Sequence, residues 1–313
     1  FHAIRQSRGQ QGIGITGVVM YSQLTTGRKT HVRSKIATET SAAIVDIGLD
    51  TRKNKATKTN EGRELWERPN GEMKEHGLEI TCRMKAKYQR GRQSVYQYLR
   101  MTSIVNPHAD ITFEDPDGEV HHWPRVTERL PRKVESIKPH PHGIHLGTLQ
   151  RMCSESTDSR MTSFLYKNFS GVSSRAAKQL LEAAEIEEKA KPKSMKPEQI
   201  RALLEAFQGE RHLGGKPVKL LNPPTNCLSP IEELLIKKGL SKTIDSRFVT
   251  TMTRSPTVSQ GNPYQVEVGL IFGDGMAADK PVEVLRFANR VPLMYQQGGC
   301  LLTKAIESVD WRQ

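Results

Sequence analysis

The chain has 313 residues, of which 36% are hydrophobic, 6% aromatic and 26% charged, with a net charge of +13. That is length enough for two or three domains with buried cores, and the absence of a secretory signal or of any apolar run near the roughly 20 residues of a bilayer span points to a globular, cytoplasmic protein with no membrane partner. The cysteines, Cys82, Cys153, Cys227 and Cys300, are far apart and form no CxxC pair, which argues against a zinc site or a disulfide framework.

The positive charge favours a polyanion, since each neutralised phosphate releases counterions, although solvated Lys and Arg faces alone give the same excess. The chain opens on Arg8-Gly-Gln-Gln-Gly-Ile-Gly-Ile15, where Gly9, Gly12 and Gly14 run into a predicted helix over Ile13 to Leu24. Such a run lets backbone N–H groups turn toward an anion at a helix N-terminus, a geometry that suits a nucleotide phosphate tail. No strand precedes the loop and the first residue is Phe1, so the chain is expected to be a piece of something longer, incomplete at both ends.

Strands are predicted over Lys29 to Ile36 and Ala42 to Asp50. Thr51 to Glu75 reads as a polar hairpin or mobile loop around Pro69-Asn70-Gly71, ahead of a strand over Leu78 to Lys85. A helix over Gln93 to Ile104 is followed by Ile111 to Phe113 and Val120 to Trp123, which close a first sheet with helices. Two prolines in Ile137-Lys-Pro-His-Pro-His-Gly143 mark a domain boundary. His140, His142 and His145 have no acidic or thiol ligand interleaved, so this segment is read as a linker and no metal is assigned.

Helices are then predicted over Leu146 to Cys153, Met161 to Phe169, Ser173 to Glu185 and Pro197 to Phe207, with Ser173-Ser174 as a cap and Pro197 in a first turn. Glu182 to Lys196 reads as a charged loop. These helices, carrying Arg160, Lys167, Arg175 and Lys178, resemble small nucleic-acid-binding modules that hold phosphates without reading bases; a plain helical insertion with solvated basic residues is the alternative. Past Gly214-Gly215, Ser229 with Pro230 and Glu232 predicts the start of a helix over Ile231 to Lys238. Strands follow over Arg247 to Arg254, Pro263 to Phe272 and Val282 to Asn289, then a helix over Leu301 to Val309. Gly261-Asn262-Pro263 and Gly273-Asp-Gly275 read as ordinary turns, and no acid, base or nucleophile constellation is present. The pattern is α+β.

The segment Gln6-Ser-Arg-Gly-Gln-Gln-Gly-Ile-Gly-Ile-Thr16 is very similar to the nucleotide-lid loop of the DNA topoisomerase VI B subunits, a type IIB topoisomerase family within the GHKL ATPase superfamily. Three more segments resemble that family in the expected order: Lys138-Pro-His-Pro-His-Gly-Ile-His-Leu-Gly147, Pro223-Pro-Thr-Asn-Cys-Leu-Ser-Pro230 and Leu285-Arg-Phe-Ala-Asn-Arg-Val-Pro-Leu-Met-Tyr295. The resemblance covers essentially the whole chain.

It implies residues 1–135 as the remainder of a GHKL (Bergerat) α/β sandwich with its lid, 136–215 as a helix-two-turn-helix domain, and 216–313 as a truncated transducer domain, similar to part of a ribosomal protein. The lid amides of Gly9, Gln10, Gln11, Gly12, Ile13, Gly14, Ile15 and Thr16 would wrap the phosphates of ATP. Partners implied are double-stranded DNA, an A subunit that cleaves both strands within an A2B2 heterotetramer, and a second copy of the B subunit on ATP binding.

The family's Mg2+-binding Asn, water-activating Glu and adenine-recognising Asp have no counterpart in this chain. Its switch lysine falls beyond Gln313 and is not Lys304, so the fragment alone is expected not to hydrolyse ATP. Rival readings are a non-hydrolysing DNA-binding fragment, a gyrase or mismatch-repair type GHKL ATPase, which the intervening helical domain disfavours, and an RNA-binding protein, which lacks the expected aromatic-rich strands.

Overall fold

A computed structural model describes residues 4–9, 12–53, 55–273, 276, 282–294 and 300–310. Gln10 and Gln11 of the glycine-rich loop, and Asp274-Gly275 of one predicted turn, lie outside the described residues. The chain forms two compact units, one of residues 9–89 and one of residues 1–8 with 90–313. As predicted, the architecture is α+β.

In the smaller unit, helix α1 (Gly14–Thr26) ends at Gly27, whose φ of 70° supplies the left-handed residue that commonly closes a helix. Strands β1 (Thr30–Lys35), β2 (Ala42–Asp50), β3 (Lys55–Glu64) and β4 (Gly77–Thr81) form one antiparallel sheet in the order β3-β2-β1-β4. α1 packs on β1 and β2 but buries only Val19 and Ser22, so polar bonds carry much of the attachment. The Gln23 side-chain amide donates to the Leu49 carbonyl at 2.9 Å and accepts from the Leu49 N–H at 2.7 Å, while Ser22 Oγ donates to the Arg83 carbonyl at 2.7 Å.

The polar stretch after Asp50 is not a mobile loop: much of it is β3, which pairs along β2 at the sheet edge. Every described residue of β3 before Glu64 is exposed, so there is no buried face to impose the period-2 alternation by which a strand is recognised. Beyond it, Glu67 and Met73 bridge around Pro69-Asn70-Gly71, and Trp66 is buried beneath the cations of Arg33 and Lys74.

In the larger unit, helix α2 (Val95–Val105) is capped by Ser94, whose hydroxyl accepts from the Gln97 N–H. β5 (Ile111–Glu114) and β6 (Val120–Trp123) form their own hairpin and do not close the sheet of β1 to β4. Asp115 folds the hairpin on itself by accepting the N–H groups of Asp117 and Glu119.

Helices α3 (Leu146–Glu155), α4 (Met161–Asn168), α5 (Ser174–Ala183) and α6 (Pro197–Gln208) surround a core of Leu149, Phe164, Leu165, Leu180, Leu203 and Phe207. Phe169 meets Phe164 and Phe207 edge-on, with centroids 5.9 and 5.2 Å away. Ser173 caps α5 and Pro197 opens α6, both as predicted. The short ribbon of β7 (His212–Leu213) and β8 (Lys216–Pro217) follows.

His140 is no linker residue. It is 3% exposed, its Nε2 lies 3.0 Å from the Leu221 carbonyl, and its Nδ1 accepts from the His142 N–H at the head of a 3-10 turn over Pro141–Gly143. A Cβ on Gly171 or Gly261 would meet the imidazole within 3 Å, so both glycines are required by the closeness of their backbones to this ring. The prolines flank a tight turn held against neighbouring backbone.

Helix α7 (Glu233–Ser241) starts later than predicted, because Ser229 does not cap it. The Glu267 carboxylate instead holds the backbone just ahead of the helix, accepting the N–H groups of Ile231 at 2.8 Å and Glu232 at 2.7 Å. β9 (Phe248–Thr253) carries on through the hairpin of β10 (Thr257–Ser259) and β11 (Asn262–Tyr264) to β12 (Glu267–Phe272), which pairs back with β9. The predicted strand over Pro263 to Phe272 is thus two strands. The turn is Gln260-Gly261, with φ of 46° and 73°, and Asn262 and Pro263 belong to β11.

The predicted strand over Val282 to Asn289 is reduced to β13 (Phe287–Ala288), paired with β14 (Val291–Pro292). Its turn is Asn289-Arg290, both at positive φ as a two-residue hairpin demands. Helix α8 (Leu301–Glu307) follows, and Lys304 on it is exposed. A second core joins Ile104 and Val105 of α2 to Ile231, Leu235, Ile236 and Leu240 around α7.

Gly239 permits that junction, because a Cβ there would overlap the Ile104 carbonyl. Gly239→Ala should therefore cost about 1–3 kcal/mol through overpacking, read as a lower urea midpoint with an unchanged slope. Burial also holds the His140 pKa below its ordinary value. The unfolded chain then binds the extra proton, so this stability is whole above about pH 6.5 and is lost as pH falls through the folded value. His140→Gln should flatten the fall in thermal stability below pH 6.5; an unchanged profile would assign that fall to other groups.

Candidate functional site

The site begins with α1 in the smaller unit. Gly12 has φ of 68° and, among the described residues, no heavy atom within 4 Å of where a Cβ would stand, and Gly14 is equally open. Ile13 occupies the N-cap without a side-chain bond, and the first helical hydrogen bond runs from the Gly17 N–H to the Ile13 carbonyl at 2.9 Å. The N–H groups of Gly14, Ile15 and Thr16 therefore precede any intrahelical acceptor. Gly9, Gly12, Ile13, Gly14, Ile15 and Thr16 are all exposed, and no acidic residue occupies the first turn. Free amides at the positive end of a helix dipole, with no carboxylate in that turn, are a group of donors that an oxyanion can fit.

The basic candidates lie in the larger unit. Arg160, Lys167, Arg175 and Lys178 are all exposed, but they are not equivalent. Lys167 pairs with Asp158 at 3.1 Å, which holds its ammonium pKa above the ordinary value, and Lys178 pairs with Glu188 at 3.3 Å. Arg160 and Arg175 make no ion pair among the described residues. Arg175 and Lys178 stand three apart on one face of α5, whereas Arg160 and Lys167 mark the two ends of α4. Half of this charge is neutralised internally, a pairing invisible in a linear sequence because Glu188 lies beyond the end of α5.

One acidic constellation was missed by sequence reasoning. Ligand atoms of Asp115, Glu119 and His121 lie within 4.8 Å of one another, gathered by the hairpin that Asp115-Pro-Asp-Gly118 had signalled. The Arg90 guanidinium already occupies the cluster, 3.2 Å from Asp115, 3.0 Å from Asp117 and 3.5 Å from Glu119. Burial raises the Asp115 pKa, but the amides of Glu119 and Asp117 and the Arg90 charge outweigh it and hold the group below its ordinary value.

Also missed was how the family-like segments meet. Gln6 donates its N–H to the Cys227 carbonyl at 2.9 Å, and its side-chain oxygen accepts from the Ser229 N–H. The buried Arg290 guanidinium donates to the Ser229 and Pro230 carbonyls at 3.3 and 2.9 Å. Arg8 donates to Asn106 Oδ1 at 2.9 Å. Three of the four segments that carry the resemblance, around Gln6, Ser229 and Arg290, thus share one hydrogen-bond network.

Comparison with known proteins points to one family. The family model for the topoisomerase VI B subunit transducer matches residues 223–313. The B subunit of type 2 DNA topoisomerase 6 from Methanosarcina acetivorans is 42% identical over 314 residues, which cover 100% of this chain and 48% of that protein. Its namesake from Archaeoglobus fulgidus is 44% identical, with 100% and 50% covered, and that from Pyrococcus horikoshii 34% identical, with 100% and 60% covered. The chain thus spans about half the length of the first two. The transducer match, and similarity at 41–44% identity running the length of the chain, make it a member of the family of DNA topoisomerase VI B subunits.

Proposed function

We propose that the chain carries the lid, helical and transducer portions of an ATP-binding B subunit, one that couples ATP-dependent dimerisation to passage of one DNA duplex through a break made by an A subunit. In this reading residues 1–135 belong to a GHKL domain, 136–215 to a helix-two-turn-helix domain and 216–313 to the transducer, within an A2B2 assembly. The observation that carries it is the exposed set of amides at the start of α1, with open space around Gly12 and Gly14.

These residues fit a nucleotide tail: the donors are backbone groups, the helix end is positive, and the absent Cβ atoms leave room for phosphate oxygens. When bound, ATP with its Mg2+ supplies a terminal phosphate that is lost on hydrolysis. The lid amides, met only while that phosphate is present, favour the closed arrangement by a differential free energy. A closed form that dimerises better than the open one is in turn favoured by dimerisation, by linkage. Arg160, Lys167, Arg175 and Lys178 contribute to holding duplex DNA, with Arg160 and Arg175 leading because no described carboxylate neutralises either.

In the full-length subunit, Gly12→Val should abolish dimerisation with a non-hydrolysable ATP analogue, because valine strongly resists positive φ and its methyls fill the space phosphate needs. Light scattering reads the outcome, and a normal dimer mass would remove the lid assignment. Arg175→Glu should weaken duplex binding at low salt more than Lys178→Glu, since Lys178 already faces Glu188. Equal affinities for both variants and the unmodified protein in a salt titration would take this helix face out of the DNA path.

A further inference from the structure

The sheet of the smaller unit sorts its charges by end. Its register sets Thr30 opposite Ile47, Asp50 opposite Lys55 and His31 opposite Thr81. The start of β1, the β2–β3 turn and the end of β4 therefore share one end of the sheet. Arg28, Lys29, Arg52, Lys53, Lys55 and Lys58 are gathered there, all exposed, and the chain leaving β4 adds the exposed Arg83 and Lys85. None of these cations is in an ion pair among the described residues.

The acid within the turn, Asp50, shapes it by accepting the N–H groups of Arg52 and Lys53 at 3.0 Å each, and its single negative charge offsets only part of the excess. Lys29 donates to the Thr59 hydroxyl and so keeps its whole charge. Toward the other end the charges are matched: Arg33 pairs with Glu64 and Glu79, and Arg63 with Glu39. In between, Asp46 is taken by His31 and Asn60.

We propose that this cationic end of the sheet is a contact surface for the phosphate backbone of duplex DNA, additional to Arg175 and Lys178. The inference rests on the reading of the chain as part of a DNA topoisomerase subunit. Four strands spaced about 4.8 Å apart give the edge a width of roughly 15 Å, enough for several phosphates of a duplex. The turn and β3 hold no aromatic side chain, so the part of the surface they form offers no stacking platform of the kind by which single strands are held, although the exposed Tyr21 donates to the Lys85 carbonyl at its margin. The surface is also separate from the nucleotide loop, because the 13 residues of α1 set its two ends about 20 Å apart, and Arg28 follows the C-terminal one.

The test is fluorescence anisotropy of the full chain with a labelled duplex across a series of salt concentrations, comparing the unmodified protein with the combined variant Arg52→Gln, Lys53→Gln, Lys55→Gln and Lys58→Gln. Each phosphate contact contributes about 0.9 to the slope of log affinity against log salt, so the variant should lower that slope by about 2 to 4. A control with Arg63→Gln and Arg68→Gln, at the matched end, should leave it unchanged. All of these side chains are exposed, and an unaltered melting temperature verifies the fold.

If the unmodified chain binds duplex and the combined variant binds with the same slope and affinity, the contact surface is refuted while the topoisomerase reading stands. If the unmodified chain binds no duplex at any salt, the DNA reading fails and takes this surface with it. A preference for single strands that the combined variant abolishes would assign the surface to a different ligand and overturn the proposal.

Discussion

A chain segment without helix or sheet must still find partners for the amides and carbonyls it buries, and Pro223 to Pro230, where Pro223, Cys227 and Ser229 are buried, is such a segment. Its needs are met from far away in sequence: by Gln6 at Cys227 and Ser229, by Glu135 at Asn226, and by Arg290 at Ser229 and Pro230. Glu267 extends the pattern to the next two amides and so sets where α7 begins. Burial and the Arg8 charge both work against the Arg290 guanidinium, whose pKa lies below its ordinary value, while Glu267 and Glu232 oppose them. Removing an acceptor here would strand a buried charge, which is why such networks are costly to break.

Where local chemistry decides an element, the sequence announced it. Ser94 and Ser173 cap the helices that follow them, Pro197 opens α6, and the apolar spacing of residues 146–208 located four helices around one core. Where a partner decides, the sequence was silent. Ser229, with Pro230 and Glu232, has the composition of a helix start, yet the acceptor is Glu267, which no window around residue 230 contains. β3 was unreadable as a strand because nothing covers its faces, and Val282 to Asn289 resembled a strand by β-branched content although the φ values at Asn289 and Arg290 turn the chain just beyond it.

The candidate site divides along the same line. The glycine-rich loop was legible as backbone geometry, because glycine is the residue type that accepts positive φ, and Gly12 does adopt it. The worth of the basic residues was not, because charge is spent in three dimensions. Lys167 and Lys178 are partly neutralised by Asp158 and Glu188, whereas the cations around the β2–β3 turn are not, and a net charge of +13 says nothing of that distribution. His140 makes the same point for a neutral group, since a histidine among prolines reads as loop until the backbone of Leu221 is seen against its ring.

The way α1 is fastened bears on how its first turn can act. An apolar stripe against a sheet lets a helix roll or slide by small steps, because dispersion contacts are undirected. The paired hydrogen bonds between Gln23 and Leu49, with Ser22 on the Arg83 carbonyl, fix the azimuth of the helix about its own axis. The first amides of α1 are thereby aimed along a constant bearing, like a key held by its bow. Any swing of the loop that precedes them takes place ahead of the helix, with the helix itself as the fixed reference.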